Sequence, residues 1–207
     1  MVVGAVIKWF ASPDTQPTGL TWDGLTLWHA DRNTDRIYQL NPVTGAVIKW
    51  FASPDLDPRG LAWDGKTLWV ATTNLNRIYQ VNPITGATIK SFASPTASPM
   101  GLAWDGKTLW HAEALTDRIY QLNPVTGAVI KWFAGPNAEP IGLTWDGKTL
   151  WHSDWGLTRV YQVNPITGAV IRFFAAPDGA IQDLAWDGLT LWLATDTSDR
   201  IYQLETH

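Results

Sequence analysis

The phrase Gly-Leu-(Thr/Ala)-Trp-Asp begins at Gly19, Gly60, Gly101 and Gly142 and returns as Asp183-Leu-Ala-Trp-Asp, each start 41 residues after the last. Trp22, Trp63, Trp104, Trp145 and Trp186 keep that interval, and so do Trp28, Trp69, Trp110, Trp151 and Trp192. A period near 40 residues marks a repeat architecture, in which each unit buries its apolar faces on its neighbours. Five such units account for nearly all of the 207 residues. Residues 1–207 are therefore expected to form one domain, with repeats at 19–59, 60–100, 101–141, 142–182 and 183–207, the last completed by 1–18.

Unit 19–59 reads as four short strands. Gly19–Asp23 is strand A, closed by Asp23-Gly24, a pair that tolerates the positive φ of a hairpin turn. Thr26–Asp31 is strand B, whose alternation puts Leu27, His29 and Asp31 on one face and Trp28 and Ala30 on the other. Arg36–Leu40 is strand C. Asn41-Pro42-Val43-Thr44-Gly45 is a turn, since Pro42 has no amide to give a ladder and Gly45 frees the backbone. Ala46–Ser53 is strand D. Four antiparallel strands repeated five times describe an all-β, five-bladed β-propeller. The last unit stops at Glu205-Thr206-His207 before any strand D, while Gly4–Ser12 repeats Gly45–Ser53 residue for residue. The N-terminal strand is expected to complete the C-terminal blade, removing the raw edges of a linear array. Large flat indoles suit the ~10 Å gap between stacked sheets. The ten tryptophans of strands A and B therefore read as framework, and Thr21, Ala62, Ala103, Thr144 and Ala185 as small residues suited to a crowded axis.

The motif Gly-Leu-(Ala/Thr)-Trp-Asp-Gly-x-x-Leu-Trp-x-(Ala/Ser), then Arg-(Ile/Val)-Tyr-Gln-(Leu/Val)-Asn-Pro-x-Thr-Gly, resembles propellers of the NHL and YVTN kind and the five-bladed glutamine cyclotransferase group. The resemblance spans the chain but rests on framework positions, so it implies a fold far more than an activity. WD40 repeats fit less well, because Trp-Asp here opens the A–B turn instead of ending strand C.

The A–B turns and the complete C–D turns scarcely vary, whereas the B–C loops and D–A connections differ from unit to unit. In an up-and-down blade those two connections emerge on one rim, so one face of the ring is uniform and the other individual. Binding residues concentrate on loops carried by rigid scaffolds. Candidate ligand-binding residues on the variable rim are Arg32, Arg59, His111, Glu113, His152, Asp154 and Trp155. Trp155 is the one tryptophan in a B–C loop and could stack on a sugar or aromatic group. The arginines recurring at the head of strand C (Arg36, Arg77, Arg118, Arg159 and Arg200) read instead as structural partners of rim carboxylates.

Three units carry a strand-B histidine (His29, His111, His152) with an acid two residues on (Asp31, Glu113, Asp154), while Val70 and Leu193 are followed by Thr72 and Thr195. Residues i and i+2 share a strand face, so each histidine is expected to meet its acid. Such a pair serves as a satisfied buried contact, as acid–base machinery or as metal ligation. A shared ion is disfavoured, because strands ~4.8 Å apart place equivalent atoms of neighbouring blades about 13 Å apart, against ~2 Å for a zinc–nitrogen bond. No catalytic residue, metal or cofactor is assigned. The rim acids would favour a cation or a polyhydroxylated ligand.

A net charge of −4 argues against the basic stripe of a nucleic-acid binder. No apolar run reaches the ~18 residues of a membrane span, and no signal-peptide core precedes the first blade. The absence of cysteine excludes disulfides and leaves the compartment undecided. The expectation is a soluble, monomeric, non-enzymatic scaffold or binding module that takes a small-molecule, carbohydrate or protein ligand on its variable rim. The alternatives are a lyase or cyclotransferase-like enzyme built on the His/carboxylate pairs, and an engineered or recently amplified repeat without evolved function.

Overall fold

The computed structural model describes residues 2–206; Met1 and His207, the ends of the expected span, lie outside the described residues. Every regular element among them is a strand. The innermost strands, A, are β2 (Pro17–Trp22), β6 (Pro58–Trp63), β10 (Pro99–Trp104), β14 (Pro140–Trp145) and β18 (Ile181–Trp186). Strands B are β3 (Leu27–Asp31), β7 (Leu68–Thr72), β11 (Leu109–Glu113), β15 (Leu150–Asp154) and β19 (Leu191–Thr195). Strands C are β4 (Arg36–Leu40), β8 (Arg77–Val81), β12 (Arg118–Leu122), β16 (Arg159–Val163) and β20 (Arg200–Leu204). The outer strands, D, are β5 (Val47–Ala52), β9 (Thr88–Ala93), β13 (Val129–Ala134), β17 (Val170–Ala175) and, from the N-terminus, β1 (Val6–Ala11). They form five four-stranded antiparallel sheets in the order A–B–C–D, the fifth running β18–β19–β20–β1. Strand A starts two residues before the expected glycine, because Pro17 pairs with Asp31 across a bulge that precedes Leu20. A proline is admitted at the first residue of an edge strand.

The ring closes as expected. β1 pairs with β20 from Val6↔Leu204 to Ala11↔Arg200, the register by which β5 pairs with β4, bulge included. The Gly4 amide donates to the Glu205 carbonyl and the Glu205 amide to the Ala5 carbonyl, each at 2.9 Å.

Neighbouring sheets enclose an apolar cluster between them; in the first gap Trp28, Ala30 and Ile37 meet Leu61, Leu68, Val70 and Tyr79. The strand-B indoles are 1–2% exposed, and burying some 200 Å² of indole stabilises by about 5 kcal/mol before entropy is counted. Each also has a polar anchor. Trp28 Nε1 donates to Asp23 at 2.8 Å, and that carboxylate accepts the amides of Leu25 and Thr26 and the Thr26 hydroxyl. Burial pushes these turn carboxyls up, but the hydrogen bonds outweigh it and hold Asp23, Asp64, Asp105, Asp146 and Asp187 below the ordinary carboxylate value. The constancy of the Asp-Gly turn thus reflects a network as well as a backbone preference.

The strand-A tryptophans differ: they are half-buried at the cluster edges and ring a cavity of about 70 Å³ at the uniform end of the axis. The strand-C arginines also depart from expectation. Arg36, Arg118 and Arg200 lie over Trp50, Trp132 and Trp9 at 3.8–3.9 Å, and Arg159 over Phe173 at 4.7 Å. Arg77 donates to Ser91, which replaces the aromatic ring. Among the described residues none of the five pairs with a carboxylate. Arg36 faces Ala52 and Tyr38 faces Trp50, so each guanidinium has the outer aromatic as its diagonal neighbour.

Candidate functional site

The Asp23 amide bonds the Thr26 carbonyl, so alternation along β2 turns the amides of Leu20 and Trp22 away from strand B, toward the axis. The narrowest level of the axis holds Gly19, Gly60, Gly101, Gly142 and, from the fifth blade, Asp183. A Cβ on Gly19 would lie 2.7 Å from Leu61 Cγ, and one on Gly142 2.7 Å from Asp183 Cα. Glycine is needed because the blades touch there. Asp183, fully buried, reaches across the axis. Its Oδ2 accepts the Leu20 amide at 2.9 Å and the Leu61 amide at 3.4 Å. Its Oδ1 accepts the Leu143 amide at 3.0 Å and the Leu184 amide at 2.9 Å. Burial raises its pKa well above the ordinary carboxylate value, against the pull of those four amides.

Above this floor, on the rim of B–C and D–A loops, opens a cavity of about 250 Å³ lined by Arg32, Arg59, Met100, Ile141, Trp155, Gln182 and Asp196. Two repeat positions build it. One, at the head of strand A, carries Thr18, Arg59, Met100, Ile141 and Gln182; the other, in the B–C loop, carries Arg32, Thr73, Ala114, Trp155 and Asp196. A third position, Gln16, Asp57, Ser98, Glu139 and Ala180, supports them. The Arg32 amide donates to the Gln16 carbonyl, and three other units repeat that bond. Gln16 also accepts from Arg32 Nε at 2.8 Å, while Asp57 holds Arg59 Nε at 3.0 Å and takes the Thr73 hydroxyl. Gln182 donates to Asp196 at 2.8 Å, and the Arg32 guanidinium stands 3.8 Å from the same carboxylate.

The rim candidates separate into two groups. Arg32, Arg59 and Trp155 meet in the cavity, with Trp155 half exposed. His111, Glu113, His152 and Asp154 do not line it and are 0% exposed. The expected histidine–acid hydrogen bonds are not formed among the described residues, because the acids serve the B–C loop. Asp31 accepts the amides of Asn33 and Thr34 at 3.0 and 2.9 Å. Glu113 accepts those of Leu115 and Thr116 at 3.1 and 2.7 Å, and Asp154 that of Leu157 at 2.7 Å. Where strand B ends in threonine, the carboxylate comes from the D–A connection: Thr72 donates to Asp55 and Thr195 to Asp178. Asp55 then takes the Leu75 amide and Asp178 the Ser198 hydroxyl. The acid–threonine alternation is thus an exchange of cap, not a partnership with histidine. The histidines stack instead on strand-C tyrosines, His29 on Tyr38 and His111 on Tyr120 at 6.2 Å, His152 on Tyr161 at 5.5 Å. Desolvation holds His29 and His111 at about 4 and His152 at about 3. Among the described residues no group of three or more His, Asp or Glu could hold a metal ion. Nor is any helix long and apolar enough to cross a membrane.

Met100, Ile141, Gln182 and Asp196 escaped the sequence reading, which sought unusual side chains in isolation. A signal was present. Only three repeat positions carry five different residues in five units, and they are the three just described.

Fold and rim together define a five-bladed β-propeller with an axial cavity on its individual face. No protein-family model and no curated protein matches the chain, so the NHL- and YVTN-like motif carries no family assignment. Among solved structures, the glutaminyl cyclase of Myxococcus xanthus is similar with a TM-score of 0.84 and 13% identity, over 97% of this chain and 95% of that one. Virginiamycin B lyase from Staphylococcus aureus gives a TM-score of 0.58 and 22% identity over 96% of this chain and 69% of its own. The WD40 propeller domain of Doa1 gives 0.63 and 10% over 91% and 63%. At these identities the likeness is one of fold.

Proposed function

We propose that the chain is a non-enzymatic binding module whose axial rim cavity takes one compact ligand carrying an anionic group beside an apolar or aromatic part. The observation that carries this reading is where divergence falls. Drift would favour the most exposed positions, yet the C–D turn tips Val43, Ile84, Val125 and Ile166, 74–79% exposed, use two residue types. Thr18, Ile141 and Gln182, at 2–8% exposed, belong to a position that uses five. That contrast also speaks against an amplified repeat without evolved function.

The lining sets two guanidiniums against one carboxylate. Asp57 behind it takes Nε and one terminal nitrogen of Arg59, and the remaining N–H groups of Arg59 and Arg32 favour an anion over the cation or polyol expected from the rim acids. A guanidinium fork suits a carboxylate. Met100, Ile141 and Trp155 supply the apolar wall usual in small-molecule sites. The volume of about 250 Å³ suits a ligand smaller than a drug and leaves little room for a protein segment. Support for the lyase-like reading is weaker, since the histidines lie outside the cavity and Asp196 is already engaged by Gln182.

Titration of ¹⁵N-labelled protein with benzoate and phenylacetate, with benzyl alcohol as the uncharged control, tests the reading. Saturable shifts are expected at Arg59, Met100, Trp155 and Gln182, at least about tenfold weaker for the alcohol, since a charged hydrogen bond is worth about 1.5–3 kcal/mol. They should be lost in Arg59→Met. Shifts confined to the Asp-Gly and Asn-Pro turns, or equal affinity for the alcohol, would overturn it.

A further inference from the structure

We propose that the ring of backbone amides at the propeller axis is an anion-binding site in its own right, filled in this chain by Asp183 and open to a free small monocarboxylate once that side chain is removed. The site follows from the fold. Every strand A is the inner edge of its sheet, and the leucine after the axial glycine turns its amide to the axis instead of to strand B. Converging N–H dipoles form a concave positive field of the kind that backbone nests present to anions. Three blades other than its own bind Asp183 through Leu20, Leu61 and Leu143, and Leu184 adds the fourth amide. Both carboxylate oxygens accept two amides each, the pattern of an ionised group.

The geometry also selects the ligand. Asp183→Gly would remove four heavy atoms, the methylene and carboxylate, which together have the size and shape of acetate. Four blades already carry glycine at this level, so the backbone there accommodates the change. The neighbouring glycines leave no space for even a Cβ, which excludes a tetrahedral oxyanion such as sulfate. This site lies below the rim cavity and does not depend on what that cavity binds.

The test is thermal unfolding of full-length Asp183→Gly in sodium acetate up to about 200 mM, with chloride keeping ionic strength constant and sulfate as a second control. The variant should melt below the parent protein, and acetate should restore its Tm saturably by at least about 4 °C. Acetate should leave the parent unchanged, and sulfate should act equally on both. An acetate response that is absent, or the same in parent and variant, overturns the proposal. Should the glycine variant fold only in acetate, the proposal stands. Should it not fold at all, Asp183→Asn decides, because its amide group turns N–H toward N–H: a lowered Tm upholds the anion site, and parental stability sinks it.

Discussion

Ser12 Oγ lies 3.0 Å from His29 Nε2, across the junction where the last blade meets the first. Ser94 repeats the contact with His111 at 3.1 Å. In the second unit the serine remains but the histidine is Val70, and Ser53 Oγ is left without a partner. In the fourth the histidine remains but the serine is Gly135, and both nitrogens of His152 lack a side-chain partner. The fifth is apolar on both sides, with Ala176 and Leu193.

Restoring the missing hydroxyl should therefore stabilise the fourth unit. Gly135→Ser is expected to raise stability by about 1 kcal/mol, less a small cost because its Cβ would lie 3.1 Å from the Asn137 carbonyl oxygen. Gly135→Ala controls for the entropy of losing glycine. Urea midpoints measure both, and a serine gain no larger than the alanine gain would rule out the hydrogen bond.

Acid should weaken the fold through the same histidines. Desolvation holds them neutral, at about 4 for His29 and His111 and about 3 for His152, although Asp31 pulls His29 upward. Unfolded, each titrates near 6.5. Their contribution is complete above pH 6.5 and drains as pH falls toward 4, because the unfolded chain takes protons that the folded one refuses. At pH 5 each should cost about 2 kcal/mol. Asp183, raised by burial, works in the opposite sense, so the measurement is the difference between the parent and His152→Leu, the residue of the fifth unit. Parallel stability–pH curves would mean that His152 is protonated in the fold.

The B–C loops end in a left-handed residue: Asp35, Asn76, Asp117 and Asp199 have φ of 51–55°, and Thr158 has 50°. Asp and Asn tolerate that region and a β-branched residue does not. Asp35, Asn76 and Asp117 also accept an amide from the next connection, at 2.8, 3.0 and 2.8 Å. Thr158→Asp should relieve the strain and cap the Ala180 amide, raising stability by roughly 1–2 kcal/mol. An unchanged or lowered denaturation midpoint counts against it.

Deleting Val2–Ser12 should strip β20 of its outer partner and remove Phe10, which packs 5.9 Å from Trp192. Loss of cooperative unfolding or self-association is expected in thermal melts and size-exclusion chromatography. A monomer with the parental Tm would contradict closure by β1.

The propeller was legible because period, turn chemistry and strand alternation are local and recur five times. Twenty strands lie between the turns that Asp23-Gly24, Pro42 and Gly45 and their equivalents predicted, with strand A reaching back to Pro17 and strands A, B and D ending or starting a residue inside the expected bounds. The contacts between columns of the repeat were harder to read. His111 and Glu113 share a strand face, but the folded B–C loop brings the Thr116 amide to Glu113 instead. Likewise nothing local says that Gln182 and Asp196, 14 residues apart, meet beside Arg32 from another blade. Asp183 stood in plain view as the one departure from glycine, and its meaning needed the four amides that surround it.

The matching registers of β1 on β20 and β5 on β4 give the chain's termini no special standing. Any of the C–D turns from Asn41, Asn82, Asn123 or Asn164 is an equivalent place to open the circle, because Gly4, Ala5 and Glu205 already exchange the two hydrogen bonds that Gly45, Ala46 and Asn41 exchange in a covalent turn. Circular permutants cut at those turns would keep every ladder, the rim cavity and the contacts of Asp183. The molecule is in this sense a ring that happens to be cut, and its weld rests on the strand ladder that every blade shares, not on the rim loops that set the blades apart.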